Sequence, residues 1–414
     1  SVIKSEKGWT DRFILEHAVF EEEEKLCKGC GRLPGKKIED GKYFCNLCAQ
    51  DKSVGQILPI SNYIAFYDDE KTDRFRIMDC SIDLVDDLKD VKGKPYLISS
   101  LNRWDIGSKL PVTHRDGTYR IPVLTKDDCK DCDCSDKENI IPGQPMMFEC
   151  IARKSKGYKV LAYLKADVDR LGEIFSSGLK GAKNSVSRIA TMSRMLDLFF
   201  SGYIEELIEK KYPYIYIVYS GGDDLLVVGP WDMVIAFARE MEKEFRRFTC
   251  NNPNITLSAG ITLAKDRLPV FRCVEMADAA LDEAKEKPKD GGRNQLWLFG
   301  DYVKWEKVDE ILEDAEALSR WIEGKTVSRG FGRNLLTYGM WKKEFHETGD
   351  TRLLRYLPLM TYDIARNLPS PDKDRSGVRV WAEGLKEPDS LTMKHMGIVA
   401  NYALTANRGG SNDR

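Results

Sequence analysis

A glycine pair followed by two aspartates stands at Ser220-Gly221-Gly222-Asp223-Asp224, and two further aspartates, Asp167 and Asp169, sit two residues apart upstream. Adjacent carboxylates beside apolar runs are expensive unless a cation neutralises them. Glycine accepts positive φ without steric cost, so the pair predicts a tight hairpin, with Asp223 and Asp224 at its tip or just past it. The flanking Tyr-Ile-Tyr-Ile-Val and Leu-Leu-Val-Val runs read as central strands buried on both faces. If the strand ending near Asp167 lies beside that hairpin, three or four carboxylates meet at one sheet edge. Oxygen ligands of this kind suit two Mg2+ or Mn2+ ions, which activate an attacking hydroxyl and stabilise leaving pyrophosphate. The pattern predicts the two-metal active site of a nucleotide-cyclising or nucleotide-polymerising palm; a solvated surface turn is the plain alternative.

A phosphate side is expected opposite. A helix ends near Lys285, and a glycine-containing turn delivers Arg293 to the next strand, so both cations could face a triphosphate. A helix C-terminus also favours cations for its own sake. Ser193 and Ser187, on the helix after the first palm strand, could reach a base or ribose.

The cysteines carry a second chemistry. Cys27-x-x-Cys30 and Cys45-x-x-Cys48 match a closed tetrahedral structural zinc site. Cys129, Cys132 and Cys134, with Cys150 downstream, could bind a second zinc, but their polar Asp-rich loop reads better as carrying free thiols. Cys80, Cys250 and Cys273 read as ordinary. His17, His114, His346 and His395 are scattered, and none adjoins an Asp, so a metal-dependent nuclease site of the His-Asp type is not expected.

The elements that must position these groups are regular. Strands are expected at Lys159–Lys165, Tyr214–Tyr219, Leu225–Val228, Ile255–Leu263 and Gln295–Phe299. Helices are expected at Asp169–Leu179, Val186–Lys210, Trp231–Phe248 and Val270–Lys285. The order β-α-α-β-β-α-β-α-β elaborates the ferredoxin-like split βαβ pattern. Helices follow at Lys304–Ile322, Arg329–Thr348 and Thr351–Asn367. Before the palm, Tyr63–Tyr67 and Arg74–Ile77 read as strands split by a turn at Asp68-Asp69-Glu70. The expected class is α+β: a connecting segment (1–25), a zinc knuckle (26–55), a small β-rich domain (56–150, with a polar loop at 126–145), a palm (151–300) and a helical C-terminal domain (301–414).

The 414 residues suffice for several domains; they are 42% hydrophobic and 31% charged, with net charge −2, so no global basic field marks a nucleic-acid binder. Arg329, Arg333, Lys342, Lys343, Arg352 and Arg355 could form a local basic face on the C-terminal helices. No apolar run approaches the ~20 residues of a membrane span, and the N-terminus is too charged for a signal peptide. Eleven cysteines in a metal-binding pattern point to a reducing cytoplasm. The chain starts at Ser1, as a truncated or processed form would.

Tyr219 to Leu225 with Val228-Gly-Pro-Trp231, Leu164 to Gly172, Ser187 to Phe200, Cys250 to Gly260, and Gly292-Arg-Asn294 together resemble the large subunit of type III-A (Csm-type) CRISPR effector complexes. The Cys27–Cys48 knuckle sits where that family carries its zinc module, and the resemblance runs from about Phe20 onward. More distantly, the chain is similar to the diguanylate cyclase palm. The resemblance implies conversion of ATP into cyclic oligoadenylates, antiviral second messengers, when target RNA binds. Asp167 and Asp223, with the backbone carbonyl of Val168, would hold the metals, and Asp224 would support them. Val168, Asp169, Ser193, Ser220, Gly221, Gly222, Lys285 and Arg293 would line the nucleotide. Implied partners are ATP, the subunit capping the crRNA 5′ end, the small helical subunit, crRNA and target RNA. The family's N-terminal HD domain and first palm are not visible in this sequence, so the chain reads as the C-terminal portion, expected to bind ATP yet cyclise it weakly alone. The alternatives are a homodimeric dinucleotide cyclase of the diguanylate cyclase type and a non-enzymatic ribonucleoprotein scaffold.

Overall fold

The computed structural model describes residues 26–39, 42–58, 61–68, 74–77, 80–101, 114–116, 121–125, 145–178, 185–287, 292–370, 374 and 376–409. The connecting segment 1–25 with His17, the loop cysteines Cys129, Cys132 and Cys134, and most of the 126–145 loop lie outside them. The chain divides into two compact units, residues 1–118 and 119–414.

In the first unit, a short hairpin, β1 (Lys37–Glu39) and β2 (Lys42–Phe44), precedes helix α1 (Asn46–Ile57). A five-stranded sheet follows, built from β3 (Tyr63–Tyr67), β4 (Phe75–Ile77), β5 (Cys80–Val85), β6 (Leu97–Leu101) and β7 (His114–Asp116) in the order β4-β5-β3-β6-β7. On central β3 the alternating residues Tyr63, Ala65 and Tyr67 are buried, the period-2 signature of a strand with one core face. The Gln50 side chain on α1 donates to the Arg76 carbonyl (2.7 Å) and accepts from its amide (3.3 Å), tying helix to sheet.

The second unit begins with α2 (Phe148–Arg153). Then come β8 (Leu161–Val168), α3 (Leu171–Ser177) and α4 (Val186–Asp197). The chain passes through a π-helical turn, Leu198–Tyr203, into α5 (Ile204–Lys211), followed by β9 (Tyr216–Gly221), β10 (Asp224–Pro230), α6 (Trp231–Phe248), β11 (Leu257–Ala264) and α7 (Val270–Glu286). The sheet ends with β12 (Gln295–Leu298) and β13 (Asp301–Lys304). Strand order is β13-β12-β11-β8-β10-β9; β11 and β12 run parallel and the other neighbours antiparallel. This is the expected palm order with β13 added. Three expectations are corrected. The single helix over 186–210 is interrupted by the π turn. β9 is an edge strand and only half buried, because β10 alone pairs with it. The first palm strand runs on to Val168, so Asp167 is a strand residue rather than a residue beyond the strand's end.

Period 2 divides β8 between two cores. Ala162, Leu164, Ala166 and Val168 join the large core with α6. Leu161 and Tyr163 face the other way, onto α2, Cys273 and Ala277. On that second face the strand changes from apolar Leu161 and Tyr163 to charged Lys165 and Asp167. Helix α7 lies close over it because β11 carries Gly260: a Cβ there would stand 2.3 Å from the Leu281 amide nitrogen.

The C-terminal helices are α8 (Trp305–Glu323), α9 (Arg329–Thr348), α10 (Tyr356–Asn367, after a 3-10 turn at Thr351–Arg355), α11 (Val378–Gly384), α12 (Leu391–Lys394) and α13 (Met396–Ala406). Apolar α13 is largely buried, and its Tyr402 ring meets Trp231 edge-on at 5.0 Å. One continuous apolar core thus runs from the palm into the helices. The six C-terminal basic residues do not form one face. Lys342 is buried with Nζ donating to the Pro388 carbonyl (3.1 Å), and Lys343 pairs with Asp301 (3.0 Å). Arg352 pairs with Asp350, and Arg355 lies over Trp341. At about 100° per residue, Lys342 points away from the side of α9 that carries Arg329, Arg333 and Lys343, and Arg352 and Arg355 lie on a different element. Among the described residues no helix is long and apolar enough to cross a membrane.

Candidate functional site

The hairpin turns on Gly222, at φ +64°, the first central residue of a two-residue loop where a type II′ turn requires glycine. Its amide donates to Asp197 Oδ1 (3.0 Å), so the end of α4 pins the loop. Gly221 closes β9 opposite Asp224. Asp223 sits at the tip, its carbonyl accepting from the Val168 amide (3.1 Å). Asp224 opens β10 directly across from Asp167 on β8. Cross-strand neighbours of this kind have Cβ atoms roughly 5 Å apart, close enough for two like charges to oppose each other.

Both carboxylates feel that proximity. Burial raises Asp167 above the ordinary carboxylate range; the Lys285 ammonium pulls it back, and Asp223 and Asp224 push it further up. Burial likewise raises Asp224, with Asp223 adding to it and Tyr219, Lys165 and Lys285 opposing. A divalent cation would relieve both, so Asp167, Asp223 and Asp224 fit the oxygen-ligand site expected of them. Their oxygens do not already converge, however. Among the described residues, only the four knuckle cysteines bring their ligand atoms all within 4.8 Å of one another.

What separates the carboxylates is a set of cations and hydroxyls, most of which no sequence motif had singled out. Lys285 on α7 forms an ion pair with Asp167. Lys165 pairs with Asp278 on α7, its Nζ lies 6.0 Å from the centre of the Tyr219 ring, and Tyr219 and Lys165 both favour the charged form of Asp224. The period-2 face of β8 was the available signal for Lys165, since it shares parity with Asp167.

Asp169 follows the end of that strand at Val168, and the next residue, Arg170, adopts φ +53°. It is 3% exposed. Its oxygens accept from Thr256 Oγ1 (2.7 Å), Ser258 Oγ (2.7 Å) and the Asn294 amide (2.9 Å). Asp169 is therefore a positioning residue for the turn carrying Arg293. That turn is strained: Arg293 and Asn294 both lie in the left-handed region, at φ +75° and +50°. Further bonds over-determine it, from the Arg293 amide to the Ala284 carbonyl (3.0 Å) and from Lys304 Nζ to the Arg293 carbonyl (2.6 Å). Ser220 is buried, and its hydroxyl donates to the Phe200 carbonyl in the π turn (2.5 Å). Ser193 and Ser187 are exposed on α4, whose hydrogen-bonded link to the hairpin is Asp197.

In the first unit, Cys27, Cys30, Cys45 and Cys48 form a closed donor set. Burial raises the Cys27 thiol, but amide hydrogen bonds from Cys45, Cys30 and Gly29 outweigh it and bring it to about 6. Burial and the neighbouring sulfurs push Cys48 up. A site with one ready thiolate and another resisting ionisation until a cation arrives suits zinc. Outside sequence reach is a buried pair between His395 Nδ1 and Asp301 (3.1 Å), far apart in the chain.

Residues 160–297 match the family model described as Cas10/Cmr2, second palm domain. A Methanocaldococcus jannaschii protein, the CRISPR system single-strand-specific deoxyribonuclease Cas10/Csm1 (subtype III-A), is 35% identical over 232 residues, covering 51% of this chain and 28% of that protein. Over these residues the chain is similar to the second palm of type III-A Cas10 proteins. The Thermococcus onnurineus protein of the same description is 37% identical to it over 169 residues, covering 37% of this chain and 20% of that protein. Two solved Csm1-Csm4 cassettes share the Cas10 fold with this chain. The one in complex with cA3 gives a TM-score of 0.59 at 24% identity, over 87% of this chain and 50% of that one. The one in complex with one ATP gives 0.59 at 23% identity, over 88% and 50%. The chain thus spans under a third of the curated relatives and about half of the solved chains.

Proposed function

We propose that this Cas10-type palm joins ATP into cyclic oligoadenylates within an RNA-guided type III-A antiviral complex. The observation that carries the reading is the register of Asp224 against Asp167, with Asp223 on the adjoining turn and burial raising both paired carboxylates. Asp167 and Asp223, with the Val168 carbonyl, would hold two divalent ions, and Asp224 would support them. Such ions activate a 3′-hydroxyl for attack on an α-phosphate and stabilise the departing pyrophosphate. The chain's own residues orient the reactants. Gly222 keeps the tip open, because nothing lies within 4 Å of where its Cβ would stand. The braced turn presents Arg293 for bidentate contact with phosphate. The ATP and cA3 bound by the solved relatives support adenine nucleotides as substrate and product. A Csm4-like subunit and, through the complex, crRNA and target RNA are the proposed partners. Zinc in the knuckle is proposed as structural.

Mass spectrometry of products from ATP and from GTP, with and without partner subunits and target RNA, tests this. Cyclic oligoadenylates are expected from ATP, falling by about 100-fold or more in the Asp223→Ala, Asp224→Ala double variant. Undiminished product from that variant, or product from GTP alone, would sink the reading.

A further inference from the structure

Lys285 sits in an unusual place for a phosphate contact. Its ammonium lies on Asp167, the carboxylate most enclosed by like charge, with Asp224 opposite and Asp223 beside it. Both side chains of the pair are only partly covered, at 23% and 21% exposed, so solvent and small ions reach them. Lys285 also stands one residue before the end of α7, whose next contact is the turn leading to Arg293. The backbone there is fixed: a Cβ on Gly292 would come within 2.3 Å of the Lys285 carbonyl oxygen. The four-carbon stem is not fixed, and it can carry the ammonium several ångströms without moving the helix.

We infer that Lys285 is an exchangeable counter-ion: it holds Asp167 while no metal is bound, and it crosses to the phosphates of an incoming nucleotide when a divalent ion takes that carboxylate. The reason is charge. A dication on Asp167 repels the ammonium, which then needs another anion. Asp278 on α7 is already paired with Lys165. The triphosphate arriving with the metal is the anion that fits. Bare metal therefore binds weakly and metal with nucleotide binds well, which keeps the site from filling before substrate arrives. This rests on the two-metal reading above.

Calorimetric titration of the full chain tests it with Mn2+ alone, then with Mn2+ plus an α,β-methylene analogue of ATP. Lys285→Met and Lys285→Gln remove the charge and shorten the side chain by one atom; Lys285→Arg keeps the charge. Without nucleotide, the two neutral variants should bind Mn2+ about tenfold tighter than wild type, because a competing cation is gone. With Mn2+ present they should bind the analogue about tenfold more weakly. Lys285→Arg should match wild type in the first titration. Unchanged or weaker Mn2+ binding in whichever neutral variant melts like wild type, while wild type binds Mn2+ and analogue together, would overturn the exchange and leave the two-metal reading standing. Tighter Mn2+ binding in Lys285→Arg would also overturn it. No Mn2+ uptake by wild type, with or without the analogue, would overturn both.

Discussion

The two candidate metal sites in this chain are built on opposite plans. In the knuckle, four sulfurs already stand within 4.8 Å of one another. In the palm, three carboxylates share one sheet edge without their oxygens converging, and Lys285 is paired with Asp167. The knuckle has little else to hold it: Cys27, Cys45 and Ala49 are its buried core residues. The palm edge sits on strands buried by a large apolar core. A site whose metal is part of the fold can be closed. A site whose metal must come and go with substrate has to stay incomplete, with its charges provisionally paired.

The comparison can be broken most directly at the knuckle. Cys27→Ser should abolish zinc binding, worth roughly 10 kcal/mol or more in comparable small domains, and unfold residues 26–57. Metal analysis with limited proteolysis reads this out; a zinc-free knuckle that still resists protease would show that zinc is not structural there.

A middle-sized effect is expected at Asp169. Replacing it with Asn puts an amide where the carboxylate accepts three hydrogen bonds. The loss should be about 2–3 kcal/mol in urea unfolding, with weaker ATP binding as the Arg293 turn loosens. If the variant instead unfolds like wild type and loses Mn2+, Asp169 belongs with the metal ligands.

The smallest effect has the opposite sign. Asp224 has a folded pKa above its ordinary value, so the folded state holds the proton more tightly than the unfolded chain. Its contribution is most favourable below about 3.8 and is lost as pH rises through the raised folded value. Asp224→Asn has no such loss, so without metal it should melt slightly higher than wild type at pH 7, by about 1 kcal/mol or less, with the gap closing under acid. A lower melting temperature at pH 7 would mean the palm edge carries no charge strain, unlike the picture drawn here.

Much of this was legible in advance. The four cysteines were readable because metal chemistry confines both their type and their spacing. The Gly-Gly-Asp-Asp hairpin was readable because a tight turn between strands restricts which residues can sit there. Trp231–Phe248 and Arg329–Thr348 were readable to the residue, since Pro230 and Ser328 mark their starts. The π turn was not, because a hydrogen-bond shift of one residue leaves the apolar pattern intact. The partners of Asp169 and Ser220 were not legible for a related reason. Proximity in sequence to the Gly-Gly-Asp-Asp hairpin says nothing about which distant group a carboxylate or hydroxyl meets across the fold.

The sequence by itself determined the ligand types of both sites, the palm order and the hairpin at Ser220–Asp224, because each rests on local backbone preference or on neighbours along the chain. Only the tertiary structure decided which aspartates face one another, that Asp169 braces a turn, and that Lys285 rests on Asp167. Those pairings join residues up to 125 positions apart, and they follow from sheet register and from α7 lying close over Gly260. Coulomb energy and desolvation depend on distances across the fold, which spacing along the chain does not encode.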